Sequence, residues 1–522
     1  MKKKNIKKPV ATKRNLPKIP WLPILIGIGI LLLILLFDPR TFLGGDNCHY
    51  MSLAQSILHK HYRTEAFIGA PPETGVTPGY PFILAISLAT FGRTFIPAKI
   101  FSFVCFLTSL LIWWKLFNRQ GIDKRVSIGF LAFAVINPLI SEFSHWELTE
   151  APFMLISSAA ILYYLVSLQK DNKLNWIITA ILAAASFYMR AAGIAIPIAI
   201  GFALLLQRKW NQFFIYSIAV VVLVSPWLLR MMTVGKQTGG GIYLPQFFSN
   251  PDTGETLSMG GFIAKAFRNL SRYLFVNLPT MFFPIGQDNF VTKAFLGYLI
   301  GSVFSISILI GVFNNIRSKL SVYSLYIVIS ILILISFSEQ AAIVRYLVVI
   351  FPFIAVLLLL GLEKIWKKIQ TKPAYSFGII LLLVILALPS YFKAESANRS
   401  VLSQYLKGNK YADYGANFVR FIEVNEWIKS NDNTNSGVIS RKPTLTWWYS
   451  NHPSKGYIWR TDVKQVKNDI DTSGAKFVIV DQISGTTQQY LIPTIRAFPQ
   501  NFKVLYVTQR PENYVLEFIR NP

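Results

Sequence analysis

Charged side chains are scarce in this chain: they make up 15% of its 522 residues, whereas hydrophobic residues make up 53%. That composition is too apolar for a soluble globular protein of this length. Acidic residues are especially few, with 25 Asp and Glu against 52 Lys and Arg, a formal net charge of +27. The Lys and Arg residues lie mostly in short clusters between apolar runs, which is typical of membrane-protein loops rather than of a nucleic-acid-binding surface. We therefore predict an integral membrane protein.

Cysteine clusters and phosphate-binding loops are also missing. The two cysteines lie in unlike surroundings, Cys48 in a polar segment and Cys105 inside an apolar run, so we predict no disulfide. No His or Cys cluster marks a metal site. The loops assigned below to the cytoplasm are short and contain no Gly-rich phosphate loop, which disfavours an enzyme that uses a cytoplasmic nucleotide sugar.

About eleven apolar runs are predicted to span the membrane. The first, 21–37, follows a basic segment at 1–20 and has no small-residue cleavage site after it, so we expect it to be retained with the N-terminus in the cytoplasm. The others are 96–117, 127–143, 150–168, 175–189, 191–207, 213–230, 296–314, 320–338, 346–362 and 376–392. The apolar segment 78–91 is shorter than the roughly 20 residues that a crossing needs, and we place it along the outer surface.

The basic clusters support this topology. If the chain alternates sides, every second loop should be basic, and each cluster falls on the cytoplasmic side. The clusters lie at 115–125, 170–173, 208–209, 317–319 and 364–372. The opposite side then receives two long loops, 38–95 and 231–295, and the tail 393–522, where we expect the functional residues to lie.

The tail has a composition different from that of the membrane part. It shows an amphipathic stretch at 417–429 and strand-like runs at 437–440, 476–481, 502–508 and 514–519. The predicted fold class is therefore a polytopic α-helical membrane protein with a C-terminal soluble α/β domain. The membrane part would cover 21–392 and the outer domain 393–522.

Asp46 follows Gly44 and Gly45 in the first outer loop and opens a helical pattern that runs to about Lys60. Asp is a favoured N-cap and its charge suits the helix dipole, so capping alone explains the residue. A second acidic pair, Glu147 and Glu150, is predicted to lie on one face of a helix at the outer interface. Carboxylates at membrane depth are costly and usually line polar cavities, whereas at a solvated helix end they need no function.

Three arginines, Arg190, Arg230 and Arg345, lie at the outer ends of predicted spans. Each one alone is explained by its side chain reaching toward lipid phosphates. Together, at one depth and facing the compartment of Asp46 and Glu150, they would form a site for a diphosphate or a lipid-linked phosphate.

The order of several motifs resembles the GT-C superfamily of membrane glycosyltransferases, in particular the branch of the protein O-mannosyltransferases and the lipid A aminoarabinose transferases. The motifs cover nearly all of the membrane part. They are GGDNCHYMSLAQSIL, TPGYPFILAI, HWELTEAPFML, YMRAAGI, SPWLLR and RYLVVIFPF. That family often has an Asp-Glu pair in the first loop, whereas Asn47 follows Asp46 here.

The resemblance implies an inverting glycosyltransferase that moves a sugar from a polyprenyl phosphate to a hydroxyl acceptor outside the cytoplasm, where the donor must be lipid-linked. Asp46 would be the catalytic base and Glu150 would orient the acceptor or the sugar in the same cavity. The expected substrate-binding residues are Glu147, Arg190, Arg345, Arg230, Tyr50 and His145. No cofactor is assigned and a divalent metal stays open. The family also implies a bacterial inner membrane, with the tail in the periplasm.

Two other classes stay open. A polymerase or ligase of lipid-linked glycans would also need outer arginines and acidic residues, but its usual large loop comes late in the membrane region. A transporter would be expected to show related halves and discontinuous helices, and neither is visible in this sequence. Neither the sugar nor the acceptor, whether protein, glycolipid or cell-envelope glycan, follows from the sequence.

Overall fold

The computed structural model describes residues 21–238, 257–284, 293–318, 321–339, 342–368 and 374–520. The predicted basic N-terminus at 1–20 and parts of the predicted outer loop 231–295 lie outside these residues.

Helices form most of the described chain. Those of the membrane part are α1 (Trp21–Leu35), α2 (Asp46–Leu58), α3 (Gly79–Phe91), α4 (Ile96–Arg119), α5 (Lys124–Ile136), α6 (Pro138–Ser141), α7 (Glu150–Ser167), α8 (Lys173–Met189), α9 (Ala195–Leu206), α10 (Trp210–Thr238), α11 (Met259–Arg272), α12 (Leu278–Phe282), α13 (Ala294–Asn315), α14 (Ser321–Ser336), α15 (Arg345–Val348), α16 (Phe351–Lys368) and α17 (Ala374–Leu406). Those that follow are α18 (Ala416–Asn431), α19 (Pro443–Ser450), α20 (Val463–Thr472) and α21 (Ile492–Ala497).

Among the described residues, 5 helices are long and apolar enough to cross a membrane: α4, α7, α13 and most of α10 and α17. A sixth span is formed if α5 and the segment Pro138–Ser144, which meet at 74°, cross together. Shorter apolar helices include α3, α8 and α14. The chain is thus a multi-pass helical membrane protein, and the count of eleven spans stays a prediction.

Two helices extend beyond the spans predicted for them. The helix α10 continues to Thr238, past the predicted end at 230. The helix α17 runs without interruption to Leu406, so it does not end at the predicted domain boundary of 393. An apolar run marks only the part of a helix that lies in lipid, because a helix can continue into water with polar residues.

Glycines allow α13 and α16 to pack closely. A Cβ atom added to Gly361 of α16 would lie 1.7 Å from the carbonyl oxygen of Ser307 in α13. A Cβ added to Gly311 of α13 would lie 2.1 Å from the carbonyl oxygen of Leu357 in α16. Small residues at such contacts let helix backbones approach and gain dispersion contacts that lipid would otherwise supply.

A 5-stranded sheet lies near the C-terminus. Its strands are β1 (Gly437–Ile439), β2 (Ser454–Lys455), β3 (Ala475–Val480), β4 (Phe502–Val507) and β5 (Tyr514–Phe518), in the order β2-β1-β3-β5-β4. The strand β1 is parallel to β2 and β3, whereas β5 is antiparallel to β3 and β4. Strands β1, β3, β4 and β5 lie where the sequence patterning predicts strands.

The first loop is attached to the edge of this sheet. The amide of Ser454 in β2 donates to the carbonyl of Ala66 (2.8 Å), and the amide of Ile68 donates to the carbonyl of Ser454 (3.1 Å). The segment that carries Asp46 and the C-terminal sheet therefore lie on the same side of the helical part.

We predict that Gly361→Ala destabilises the protein by about 1–3 kcal/mol, because the added methyl group would overlap a backbone carbonyl that only a helix shift can move. The measurement is the midpoint of thermal unfolding in detergent.

The matched control is Gly378→Ala in α17, where an added Cβ meets no atom within 4 Å. That variant should be unchanged or slightly more stable, since Ala favours a helix more than Gly does. Equal midpoints for the two variants would contradict the close packing of α13 and α16.

Candidate active site

Asp46 is the first residue of α2, and the expectation that it is the N-cap is wrong. Gly45 occupies the N-cap position with a φ of 100°, a conformation that glycine adopts without strain. The Asp46 side chain is instead 48% exposed, and its Oδ2 lies 2.9 Å from a guanidinium nitrogen of Arg345. The carboxylate is thus held at the start of a helix with one face accessible.

Glu150 is the centre of the site. It opens α7 with a fully buried side chain, and its Oε1 accepts hydrogen bonds from Arg190 (2.7 Å) and from Nε of Arg345 (2.5 Å). Arg345 therefore bridges Glu150 and Asp46. Four residues that are far apart in sequence form one chain of contacts, from Arg190 through Glu150 and Arg345 to Asp46. The Arg345 guanidinium lies between the two carboxylates.

A cavity of about 450 Å³ opens beside this cluster. Asp46, Arg190 and Arg345 line it together with Tyr50, whereas the buried Glu150 does not. Much of the remaining wall is apolar, and it includes Pro81, Phe187, Met189, Ile194, Trp227, Leu228, Met231, Ile333 and Phe337. Such a cavity combines cations for an anionic group with an apolar wall for a hydrocarbon chain.

Glu147 has a different environment from Glu150. It precedes α7, so the prediction that the two share one helix face is wrong. Its carboxylate is fully buried and pairs with Lys99 of α4 (2.8 Å). It also accepts from the amide of Phe42 and from Asn47, both at 2.8 Å. Glu147 thus connects the start of the first loop to α4.

His145 belongs to the same buried cluster. Its carbonyl accepts from Lys99 Nζ (3.1 Å), and its ring packs edge-on against Phe37. Burial and the nearby Lys99 lower the pKa of His145 to about 3, so the ring is neutral at physiological pH. Neither His145 nor Glu147 lines the 450 Å³ cavity.

Arg230 contacts the first loop rather than the carboxylates. Its guanidinium donates to the carbonyl of Tyr62 (2.8 Å) and lies over the rings of Tyr62 and Trp227. It does not line the cavity either. Of the three predicted arginines, the structure brings Arg190 and Arg345 together and places Arg230 at the loop.

Two cations near the site are not among the predicted site residues. Lys99 lies inside the apolar run IPAKIFSF, and a buried charge in such a run is a signal for a polar partner. Lys442, from the C-terminal part, extends its Nζ to the carbonyl of Gly44 (3.4 Å), and Thr444 donates to the carbonyl of Gly45 (3.0 Å). Burial and the adjacent Arg441 lower the pKa of Lys442, while the charge of Asp46 acts in the opposite sense. No local pattern in the sequence links 442 to 46.

A family model matches part of the chain. The family model "Dolichyl-phosphate-mannose-protein mannosyltransferase" matches residues 75–229, which include Glu150 and Arg190. The resemblance to the GT-C glycosyltransferases is confirmed. A search of curated protein sequences finds no match.

Solved structures share the fold of this chain over almost its whole length. ArnT from Cupriavidus metallidurans bound to undecaprenyl phosphate is 11% identical with a TM-score of 0.54, and the match covers 96% of this chain and 98% of ArnT. The apo form of that ArnT is 14% identical, with a TM-score of 0.54 and coverages of 95% and 97%. The oligosaccharyltransferase of Archaeoglobus fulgidus, tethered with an acceptor peptide, is 12% identical with a TM-score of 0.55, and the match covers 96% of this chain and 74% of that protein. At these identities the comparison establishes the fold.

We predict that Lys99→Met destabilises the protein by about 3–5 kcal/mol, because it leaves the buried Glu147 carboxylate without a countercharge. Thermal unfolding in detergent measures the effect.

Adding Glu147→Gln to Lys99→Met should restore part of the loss, since the uncompensated charge is then removed. A double variant as unstable as the sum of the two single variants would show that the ion pair is not the cause.

Proposed function

We propose that the protein is an inverting glycosyltransferase that moves a sugar from a polyprenyl-phosphate donor to a hydroxyl acceptor. The observation that carries this proposal is the cluster of Asp46, Arg190 and Arg345 at the wall of a largely apolar cavity. One exposed carboxylate and two cations are the groups that such a reaction needs. The fold and the matched family model support the same class of reaction.

The charges of the cluster explain how it would bind a phosphate. Two arginines and two carboxylates balance one another before substrate enters. Glu150 is buried and accepts from both arginines, so it holds them side by side rather than meeting the substrate itself. The arginines keep further N–H donors for an anion at the cavity. We therefore assign Glu150 a positioning role in place of the acceptor-orienting role expected from the sequence.

Transfer would proceed in one displacement. The acceptor oxygen attacks C1 of the sugar and the bond from C1 to the phosphate oxygen breaks, so the electron pair stays on the polyprenyl phosphate. The acceptor proton passes to Asp46. Arg190 and Arg345 stabilise the additional negative charge on the leaving phosphate. Because attack and departure occur on opposite faces of C1, the anomeric configuration is inverted.

The remaining predicted residues have supporting positions in this scheme. Tyr50 lines the cavity near Asp46 and is placed to contact the sugar or acceptor. Arg230 and Glu147 hold the first loop through the contacts described above, and His145 contacts Lys99, the partner of Glu147. We further propose that this loop and the C-terminal sheet, which are joined at Ser454, face the periplasm of a bacterial inner membrane, with the N-terminus in the cytoplasm.

We predict that Asp46→Asn abolishes sugar transfer but not donor binding, because the amide cannot accept the acceptor proton. The measurement is transfer of label from polyprenyl-phosphate sugars into membrane acceptors, with binding of the donor measured separately.

The matched control is Asp413→Asn at a carboxylate that is 63% exposed and pairs with Arg40, and it should keep normal transfer. Near-normal turnover of Asp46→Asn would exclude Asp46 as the base. If neither the natural protein nor the variant forms product with any donor tested, a polymerase or ligase of lipid-linked glycans is favoured.

We predict that Arg345→Lys lowers transfer by roughly 10- to 150-fold, which corresponds to the loss of one charge-assisted hydrogen bond of about 1.5–3 kcal/mol. An ammonium group has no planar fork and cannot join Glu150 and Asp46 as the guanidinium does.

Arg399→Lys is the matched control, since Arg399 is 71% exposed and pairs only one turn away with Glu395. Steady-state kinetics with the labelled donor would distinguish the two. Equal rates for both variants would rule out the bridging role of Arg345.

A further inference from the structure

A second group of chemically active side chains lies at the end of α2, at the opposite end of that helix from Asp46. His59, His61 and Glu65 each offer one ligand atom, and these atoms all lie within 4.8 Å of one another. Lys60 between the histidines has a φ of 63°, which is rare for a side chain of this kind and turns the backbone so that the two rings approach. The ring centroids are 6.0 Å apart.

Both histidines face the same oxygen. Oε1 of Glu65 lies 2.6 Å from Nδ1 of His59 and 3.5 Å from Nε2 of His61. The first contact is a hydrogen bond with the proton on His59. The second pairing depends on which nitrogen of His61 carries a proton.

Ser56 orients the His61 ring. Its hydroxyl lies 2.6 Å from Nδ1 of His61 and donates to the carbonyl of His61 (3.2 Å), while it accepts from the amide of Arg63 (2.8 Å). The contact with Ser56 thus occupies Nδ1 of His61. Nε2 of His61, which faces Glu65, is therefore the nitrogen that can bind an ion together with that carboxylate.

We propose that His59, His61 and Glu65 bind one divalent transition metal ion of the zinc class. Tetrahedral bonds of about 2.0–2.1 Å would place ligand atoms roughly 3.3 Å apart, so only small side-chain movements are required. Two imidazoles and one carboxylate favour Zn²⁺, Ni²⁺ or Cu²⁺ over Ca²⁺ and Mg²⁺, which prefer oxygen ligands. The side chains of His59 and His61 are 55% and 42% exposed, which gives the ion a path from solvent and room for water as a further ligand.

The ion would stabilise the wall of the 450 Å³ cavity. Thr64, next to Glu65, donates to Oε2 of Glu73 (3.0 Å), and Oε1 of Glu73 accepts from the amides of Gly75 (2.6 Å) and Val76 (3.0 Å). Gly75 and Val76 line that cavity. A metal at Glu65 would thus hold the segment from His59 to Val76 in place without touching the substrate.

The test uses the full chain without a polyhistidine tag, purified in detergent and treated with a chelator. Titration with ZnCl₂, followed by calorimetry and elemental analysis, should show about one Zn²⁺ per chain. His61→Ala and Glu65→Gln should each weaken binding at least tenfold. Lys60→Gln, which changes the residue between the ligands but removes none, should bind as the natural protein does.

Hydrogen exchange measures independently whether Zn²⁺ stabilises the segment from His59 to Val76. Zn²⁺ should slow exchange in residues 59–76 of the natural protein and of Lys60→Gln, but not of a His59→Ala/His61→Ala double variant. Substoichiometric zinc, unchanged affinity in that double variant, or exchange unaffected by zinc would each overturn the proposal. None of these readings depends on sugar transfer, so they are separate from the tests of the proposed function.

Discussion

The buried carboxylate of Glu150 is the constraint around which the site is organised. A fully buried negative charge in the helical part of a membrane protein is stable only with countercharges at hydrogen-bond distance, and Arg190 and Arg345 supply them. Those two arginines come from the end of α8 and the start of α15, so three helices must meet at Glu150. The proposed phosphate site results from this requirement, because the same guanidinium groups reach the cavity wall.

A second buried ion pair supports the first loop from the other side. Lys99 and Glu147 connect α4 to the segment before α7, and Glu147 then binds the amide of Phe42 and the side chain of Asn47. Asp46 contacts Arg345 of the first cluster, and its neighbour Asn47 contacts Glu147 of the second. Its position therefore depends on helices that are distant in sequence as well as on α2. These contacts explain how an exposed carboxylate at the first residue of that helix can be held for the proposed proton transfer.

The C-terminal part contributes to the same region. Lys442 and Thr444 contact the carbonyls of Gly44 and Gly45, and a Cβ on Gly45 would lie 2.7 Å from the Thr444 hydroxyl oxygen. The loop before Asp46 thus fits directly against α19. Together with the pairing of Ser454 to the first loop, this makes the C-terminal sheet part of the site's outer support.

The sequence allowed the helical class, many helix positions and four of the five strands to be predicted, because hydrophobic periodicity reports directly on burial. It also singled out Asp46, Glu150, Arg190 and Arg345 individually. It could not show that Arg345 bridges two carboxylates, or that Glu147 pairs with Lys99, since these contacts join residues far apart along the chain.

The capping prediction for Asp46 failed for a local reason: Gly45 tolerates the left-handed conformation and begins the helix one residue earlier than expected. The sequence indicated no metal site, because Glu65 joins His59 and His61 only through the turn at Lys60.

The central claim is that Arg190 and Arg345 hold the phosphate of a lipid-linked donor. Native mass spectrometry of the protein with a polyprenyl phosphate tests it directly, with the Arg190→Gln/Arg345→Gln double variant and the control Arg399→Gln. We expect a single bound lipid phosphate on the natural protein and on the control, and its loss from the double variant. Equal binding to all three proteins would contradict the proposed phosphate site.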